Sequence, residues 1–308
     1  MLRYTFLACV ALSALACDSD ATSGGGGSGG SGVGGDGATG GSGAGNTSDC
    51  VPHTTSADPD FSSPTGRFSL RVESTFVDFS GRVFDGAPGG FHTEIERSGA
   101  CRLLGFEATN CSPDCEFGDF CIDSVCVASP SIIDAGSLTL TGVAPAPVMV
   151  MASDNLYYWS AEPAPNLAPI ITLTNEGGDA GQFDLSVCVP PPLEPSTDWS
   201  QALEDRAPGA SVTLTWSDPV PYARVYLRMT TGIGTHGGIS PIEIECEGPD
   251  VGTLEIPGSY LDQLFEDGWS CGECGNNDLR RYVADEGDLS TGKARFTAET
   301  WSTFFFQP

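Results

Sequence analysis

The sequence predicts an all-β protein: a β-sandwich, immunoglobulin-like or jelly-roll-like, with a small disulfide-rich insert and one short helix, after a disordered Gly/Ser tether. Two observations carry this prediction. Apolar and polar residues alternate with a period near two in many short segments. Clusters of proline and glycine separate these segments, as expected where short strands are joined by turns.

Size and charge limit the function. The chain has 308 residues, of which 40% are hydrophobic, so it can bury one or two cores. It carries 41 acidic and 13 basic residues, and Lys293 is its only lysine. A net charge of −28 repels phosphate backbones and anionic lipid surfaces, so we expect no binding of nucleic acid. Acidity also keeps an exported protein soluble, which is the simplest explanation of the charge.

The amino terminus predicts export. Residues 1–16 contain one positive charge, Arg3, and an apolar run over residues 6–15, which is typical of a signal peptide and too short to remain as a membrane-spanning helix. The stretch Ala14, Leu15, Ala16 allows ordinary secretory cleavage. With Cys17 it also resembles a bacterial lipoprotein signal, which implies that Cys17 becomes the lipid-modified first residue of the mature chain.

The number of cysteines favours lipid attachment. Of twelve cysteines, Cys9 is removed with the signal peptide, which leaves an odd number; acylation of Cys17 leaves ten that can all pair. These ten predicted disulfide cysteines are Cys50, Cys101, Cys111, Cys115, Cys121, Cys126, Cys188, Cys246, Cys271 and Cys274. Residues 17–49 are almost entirely small and polar, which predicts a disordered tether spanning roughly 30 Å on average.

The remaining chain is predicted to form two regions. Residues 50–130 form a small β and disulfide-rich region. Alternation over residues 67–79 predicts a half-buried strand with Phe68, Leu70 and Val72 on one face. Segments near residues 79–84 and 91–96 are expected to make a hairpin or short meander. Residues 131–308 form the β-sandwich domain, whose alternating segments lie near residues 138–143, 148–151, 170–174, 183–188, 212–216, 225–229, 242–247, 294–298 and 300–306. Helical periodicity is clear only over residues 258–268, where Leu261, Leu264 and Phe265 share a face and Ser259 can cap the start.

Two of these segments predict a charged sheet face. In residues 224–229, Arg224, Tyr226 and Arg228 alternate with apolar residues, and Glu243, Glu245 and Glu247 do so in the partner segment. If the segments pair, arginines lie opposite glutamates on a solvent-exposed face. Alternatively, carboxylates two residues apart, about 6.6 Å from one another, could bind a cation or another ligand.

The five cysteines between residues 101 and 126 predict a cross-linked insert. With Cys50 they allow many connectivities, and we favour Cys111 with Cys121 and Cys115 with Cys126. Zinc binding is the alternative, but exported thiols oxidise and no histidine lies near with ligand spacing, so we expect no metal. By subtraction, Cys188 pairs with Cys246.

The motif formed by Cys271 and Cys274 allows two interpretations. A C-x-x-C at a helix start is typical of thiol–disulfide exchange. Here the predicted helix precedes the motif and no βαβ pattern surrounds it, which favours a structural disulfide. In the folded part there is no G-x-S-x-G elbow, and the chain has no P-loop and no dinucleotide-binding fingerprint, so no catalytic residue and no cofactor is predicted.

Several stretches together resemble one bacterial group. They are the signal with Cys17 and its tether, Gly-Ala-Cys-Arg-Leu-Leu at residues 99–104, the cysteine-rich stretch at 111–121, Ala-Gly-Ser-Leu-Thr-Leu-Thr-Gly at 135–142, and residues 244–257 around Cys246. By these features nearly the whole chain resembles the acidic, cysteine-containing lipoproteins of myxobacterial cell envelopes. The resemblance implies an extracytoplasmic location and supplies no catalytic or ligand residue.

We therefore expect a non-enzymatic, lipid-anchored protein of the bacterial cell envelope, at the outer membrane or cell surface, that acts as a binding or structural module. Its expected partner is the membrane, through the lipid; a protein or glycan ligand and weak divalent-cation binding stay open. One alternative is an envelope hydrolase that uses acidic residues on a polysaccharide. Another is a thiol oxidoreductase that uses Cys271 and Cys274.

Overall fold

The computed structural model describes residues 56–89, 92–106, 111, 115, 119–122, 125–154, 156–230, 240–266 and 277–305. The predicted signal peptide, Cys17 and the tether lie outside these residues, as do Cys50, Cys271 and Cys274. The described part of the chain is mostly β, with 53% of its residues in strands and 7% in helices. The predicted all-β class is therefore confirmed.

Nineteen strands and two helices are described. In chain order they are β1 (Gly66–Val72), β2 (Val77–Phe84), β3 (Thr93–Ser98), β4 (Cys101–Gly105), β5 (Phe120–Ile122), β6 (Val125–Val127), β7 (Ile132–Ile133), β8 (Leu138–Val143), β9 (Val148–Val150), β10 (Ala152–Ser153), β11 (Leu156–Ala161), β12 (Leu167–Asn175), β13 (Asp184–Cys188), α1 (Trp199–Glu204), β14 (Val212–Thr215), β15 (Arg224–Thr230), β16 (Ile242–Pro249), β17 (Thr253–Ile256), α2 (Gly258–Glu266), β18 (Asn277–Leu289) and β19 (Gly292–Phe304).

One large sheet organises the protein. Its order is β10, β11, β2, β1, β19, β18, β15, β16, β4, β3, with β7 added beside β2 to make eleven strands. Its described pairs are antiparallel except β1 with β19, which run parallel. Strands from before and after residue 130 thus share the sheet. The expected hairpin of residues 79–84 with 91–96 is wrong, because β3 pairs with β4 at the far edge while β2 pairs with β1 and β11.

The first hydrophobic core lies under the half of the large sheet that contains β1, β2 and β19. A four-stranded sheet, in the order β13, β12, β8, β9, packs against this half. Alternation places Phe68 and Leu70 of β1 on the inner face, as predicted from the sequence, where they meet Leu140 and Leu173 of the smaller sheet. These side chains are at most 2% exposed. Two packed sheets with interleaved apolar side chains form a sandwich.

The second core lies under the other half of the large sheet. Val225, Leu227 and Met229 of β15 face a layer made of the β14–β17 pair and the two helices. The predicted helix is confirmed as α2, in which Leu261 and Leu264 are fully buried. It begins at Gly258, so Ser259 lies inside the helix rather than at its cap.

Helix α1 was not predicted. It has six residues, and Asp198 caps it by accepting a hydrogen bond from the Gln201 amide at 3.1 Å. Trp199 and Leu203 are its buried residues, so it closes one side of the second core. None of the helices within the described ranges is long and apolar enough to span a bilayer.

A buried ion pair lies where the chain passes from one core to the other. Arg281 of β18 and Asp250 are both fully buried, and the Arg281 Nε donates to Asp250 at 2.7 Å. Arg281 also donates to the carbonyl of Pro192, in the loop that joins β13 to α1, and to that of Asp218, each at 2.9 Å. Asp250 accepts in turn from the Trp216 indole at 2.7 Å. The pair therefore fixes two loops against the centre of the large sheet.

The cysteine-rich insert is a short hairpin of β5 and β6. The favoured pairings are confirmed, since disulfides join Cys111 with Cys121 and Cys115 with Cys126. The sulfurs of Cys111, Cys115 and Cys121 lie within 4.8 Å of one another, which resembles a metal site. Each of them is already in a disulfide, and zinc requires thiolates.

A third disulfide was predicted incorrectly. Cys246 is bonded to Cys101, because β16 and β4 are neighbours and place the two residues directly opposite each other. The predicted pairing of Cys188 with Cys246 is therefore wrong. Cys188 is nevertheless in a disulfide, so the prediction that it is cross-linked is confirmed.

Candidate binding groove on the outer face of the large sheet

Both cores lie on the same side of the large sheet, so its other side, here called the outer face, carries the alternate residues of each strand. On β15 these are Arg224, Tyr226 and Arg228, while Val225, Leu227 and Met229 point into the core. The predicted pairing with β16 is confirmed, with Tyr226 opposite Glu247 and Arg228 opposite Glu245. The outer face is thus a charged surface built from residues that the alternation identified.

The ion pairs run diagonally across the strands. Arg228 binds both oxygens of Glu243, with Nε at 2.6 Å and Nη2 at 2.9 Å. Glu245 accepts from Arg102 of β4 at 2.7 Å and from the hydroxyl of Tyr226. Such bidentate and charge-assisted bonds are stronger than neutral ones and fix the side chains. The carboxylates are therefore held in place by arginines and by a tyrosine.

These glutamates are less exposed than predicted. We expected a solvent-exposed row, but Glu243 is 3% exposed and Glu247 is fully buried. The covering segment is residues 56–64, here called the cover segment. Its Asp60 amide donates to Glu247, and Arg224 donates from Nη2 to the Asp58 carbonyl at 2.9 Å and also to Glu247. A segment remote in sequence thus buries one end of the charged face.

Aromatic rings pack against the guanidinium groups of several of these arginines. The guanidinium of Arg280 lies 3.9 Å from the centre of the Trp301 ring and 5.5 Å from that of Tyr226. Phe61 of the cover segment lies 4.3 Å from the guanidinium of Arg102. Cation–π contacts of this kind are stronger where water is partly excluded. They hold the arginines flat against the sheet.

Burial and nearby carboxylates change how the outer-face tyrosines titrate. Burial, followed by the charge of Glu245, raises the pKa of Tyr226 well above its ordinary value. Burial, followed by the charge of Glu247, also raises the pKa of Tyr282. The Tyr282 hydroxyl donates to Glu247 at 2.6 Å. Both phenols are therefore hydrogen-bond donors at neutral pH.

The uncovered part of the outer face is an open groove of about 1440 Å³. Its lining comes from the cover segment, from strands β1, β2, β3, β4, β11, β15, β16, β18 and β19, and from short loop segments next to them. Six arginines contribute to it: Arg67, Arg82, Arg102, Arg228, Arg280 and Arg295. Carboxylates, serine and threonine hydroxyls and tyrosine rings lie between them, so the groove has both fixed donors and fixed acceptors.

Sequence reasoning found only part of this groove. It identified Tyr226 and Arg228 of β15 and two glutamates of β16, Glu243 and Glu245, but it missed β18, which contributes Arg280 and Tyr282. It also gave no role to Arg67, Arg82 or Tyr158 on the strands at the other end. None of the predicted disulfide cysteines that the structure describes lines the groove; Cys101 and Cys246 lie behind it, in the second core.

Comparison with known proteins gives no assignment for this arrangement. No protein-family model matches the sequence, and none of the curated proteins compared with it matches significantly.

Proposed function

We propose that this protein is a non-enzymatic binding module of the bacterial cell envelope, anchored by a lipid on Cys17, and that its ligand is a polysaccharide held in the outer-face groove. The observation that carries the proposal is the groove itself, which crosses neighbouring strands and is open to solvent. At about 1440 Å³ it exceeds the roughly 300–1000 Å³ typical of small-molecule sites. An extended chain fits this shape better than a small compact ligand.

The groove lining suits sugars. Tyrosine combines a flat apolar ring with a polar end and loses little entropy on binding. Tyr158 is 65% exposed at the groove margin and can offer its ring to a sugar. Arg228 and Arg102, fixed by glutamates, leave further N–H groups for ligand hydroxyls, because each guanidinium has five. Donors held before binding reduce the entropy lost when a ligand binds.

The state of the carboxylates favours binding over hydrolysis. A glycosidase needs one carboxyl group as acid and a second as base or nucleophile, both facing the sugar. In the groove, both oxygens of Glu243 accept from Arg228, and those of Glu245 accept from Arg102 and Tyr226. Glu299 accepts from Ser69. These groups are already engaged as acceptors, which supports a binding role.

The proposed location depends on the signal peptide, Cys17 and the tether of the sequence. The three disulfides described here support export, because such bonds persist in oxidising compartments. The test is mass spectrometry of protein purified from membranes, which should show acyl chains on Cys17. The variant C17S should appear in the soluble fraction. Membrane association of C17S equal to that of the unaltered protein would contradict lipid anchoring.

The polysaccharide proposal can be tested by affinity electrophoresis of the mature protein in gels that contain single neutral or anionic polysaccharides. We expect retardation by at least one of them, and weaker retardation of Y158A. The matched control is M151A, since Met151 is 64% exposed and does not line the groove. Absence of retardation in all gels, or equal loss in both variants, would contradict the proposal. Release of reducing ends would instead favour the hydrolase.

A further inference from the structure

Three arginines lie side by side at the end of the groove opposite to Glu243 and Glu245. Arg67 of β1 is paired in register with Arg82 of β2 on one side and with Arg295 of β19 on the other. Side chains directly opposite on neighbouring strands lie close together, and like charges in such positions destabilise a sheet. This arginine row (Arg67, Arg82, Arg295) therefore needs a reason other than stability.

Arg295 has carboxylate partners, but the other two members of the row do not. Arg295 pairs with Asp60 and with Glu286. Within the described ranges Arg67 donates to two uncharged acceptors, the Pro64 carbonyl at 3.2 Å and the Ser63 hydroxyl. Arg82 has no ion pair among the described residues, and its nearest ring contact is Phe84 at 5.9 Å. Among the residues that the structure describes, neither Arg67 nor Arg82 thus has a carboxylate partner.

The rest of the described chain makes this pair exceptional. All nine other arginines within it have a carboxylate partner, and so does Lys293. Acidic residues outnumber basic ones by 41 to 13, so carboxylates are abundant. Partial burial, followed by the charges of Arg82 and Arg295, lowers the pKa of Arg67. An anion placed between Arg67 and Arg82 would relieve that repulsion.

The surroundings of the pair suit a sugar that carries the anion. Both arginines line the groove and are exposed, so a ligand can reach them. Tyr158 lies opposite Ser80, two residues from Arg82 on the same strand face. Leu156, which is 41% exposed, also lines this end of the groove. An apolar and aromatic surface beside a pair of guanidinium groups can contact a sugar ring while the arginines bind its charged substituent.

We infer that Arg67 and Arg82 bind a single anionic substituent, a phosphate, sulfate or carboxylate, on an otherwise uncharged glycan; this rests on the proposed function and names its ligand class. Guanidinium groups bind such anions through two parallel hydrogen bonds. A densely charged polyanion is disfavoured by the net charge of −28. An isolated anion is not disfavoured in this way, because salt under physiological conditions screens it from acidic residues more than about 8 Å away.

The test uses three small probes on the full mature protein: inorganic phosphate, glucose 6-phosphate and glucose. Affinity is measured by calorimetry, and the contact is located by the NMR signals of arginine Nε–H groups. We expect saturable shifts at Arg67 and Arg82, with glucose 6-phosphate binding more tightly than phosphate and glucose giving no arginine shifts. R82Q should weaken glucose 6-phosphate binding by at least about tenfold, because charge-assisted hydrogen bonds are lost.

The matched control is R97Q, which removes one positive charge at the far edge of the sheet, outside the groove, and should change affinity by less than about twofold. Urea unfolding without probe should show R82Q to be at least as stable as the unaltered protein, since it removes a repulsion. Loss of stability in R82Q would mean that Arg82 is structural and would overturn the inference.

The remaining outcomes are also decisive. Equal affinities for phosphate and glucose 6-phosphate would reduce the site to one for free anions and overturn the glycan part. No saturable shift at Arg67 or Arg82 would overturn the anion site. In that case retardation by neutral polysaccharides would still support the proposed function, so the two failures are distinguishable.

Discussion

The buried pair of Arg281 and Asp250 provides the sharpest test of the fold. The variant R281M keeps a side chain of similar length and removes the charge and all its hydrogen bonds. Asp250 then stays fully buried without a counter-ion, although Trp216 and Val220 still donate to it. The carbonyls of Pro192 and Asp218 also lose their donor.

The expected loss follows from this geometry. Removing one partner of a buried ion pair costs about 3–5 kcal/mol, because the remaining charge is uncompensated. Whole domains are stable by only about 5–15 kcal/mol, so R281M should lower the urea midpoint markedly. The double variant R281M/D250A should lose less than the sum of the two single variants, since no lone charge remains.

The assay is equilibrium unfolding in urea, followed by far-UV circular dichroism with disulfides intact. The control is K293M, whose ion pair with Asp288 is 57% and 86% exposed at its two side chains and should matter far less. If R281M and K293M unfold at the same urea concentration, the reasoning about burial is refuted. A changed slope would instead indicate an altered unfolded or native state.

Three other predictions concern stability. Replacing Cys101 and Cys246 with alanine should destabilise the protein by up to about 5 kcal/mol in urea, because their bond closes a loop of 145 residues; no loss would contradict this. Stability should be full below about pH 10 and fall above it, because burial raises the pKa of Tyr157 to about 12 and unfolding frees the phenol to ionise; in urea unfolding, Y157F should lose less stability than the unaltered protein between about pH 10 and about pH 12, and an equal loss would refute the assignment. G258A should cost about 1–3 kcal/mol, since its Cβ would lie 2.2 Å from the Gly209 carbonyl oxygen, whereas G248A meets no atom within 4 Å; equal midpoints would refute the packing argument.

Alternation along the strands predicted much of the sheet. It placed Phe68, Leu227 and Ile244 in the cores and Glu243 and Glu245 on the opposite face, because one side of each strand is apolar and the other polar. Strand β18 was missed because this alternation is absent from it. Its inner face carries the buried Arg281 and its outer face carries Asp278, so apolar and polar residues do not alternate there.

The burial of the outer face could not be predicted from any local pattern. Glu247 is buried because Asp60 of the cover segment donates to it, and 187 residues separate the two in sequence. The arginine row likewise depends on the parallel pairing of β1 with β19. The sequence contains one signal that could have predicted helix α1, namely Asp198, because aspartate is a common residue at the start of a helix.

The parallel pairing of β1 with β19 also constrains when the protein can fold. Strand β1 is the first of the described strands and β19 the last, yet they are direct neighbours in the centre of the large sheet. During synthesis the amino-terminal hairpin of β1 and β2 therefore emerges with one edge of β1 unpaired, and this edge stays unpaired until β19 has been made. Long-range pairing of this kind is slow and leaves strand edges open to aggregation. The large sheet therefore cannot be completed before β19, the last of the described strands, has been made.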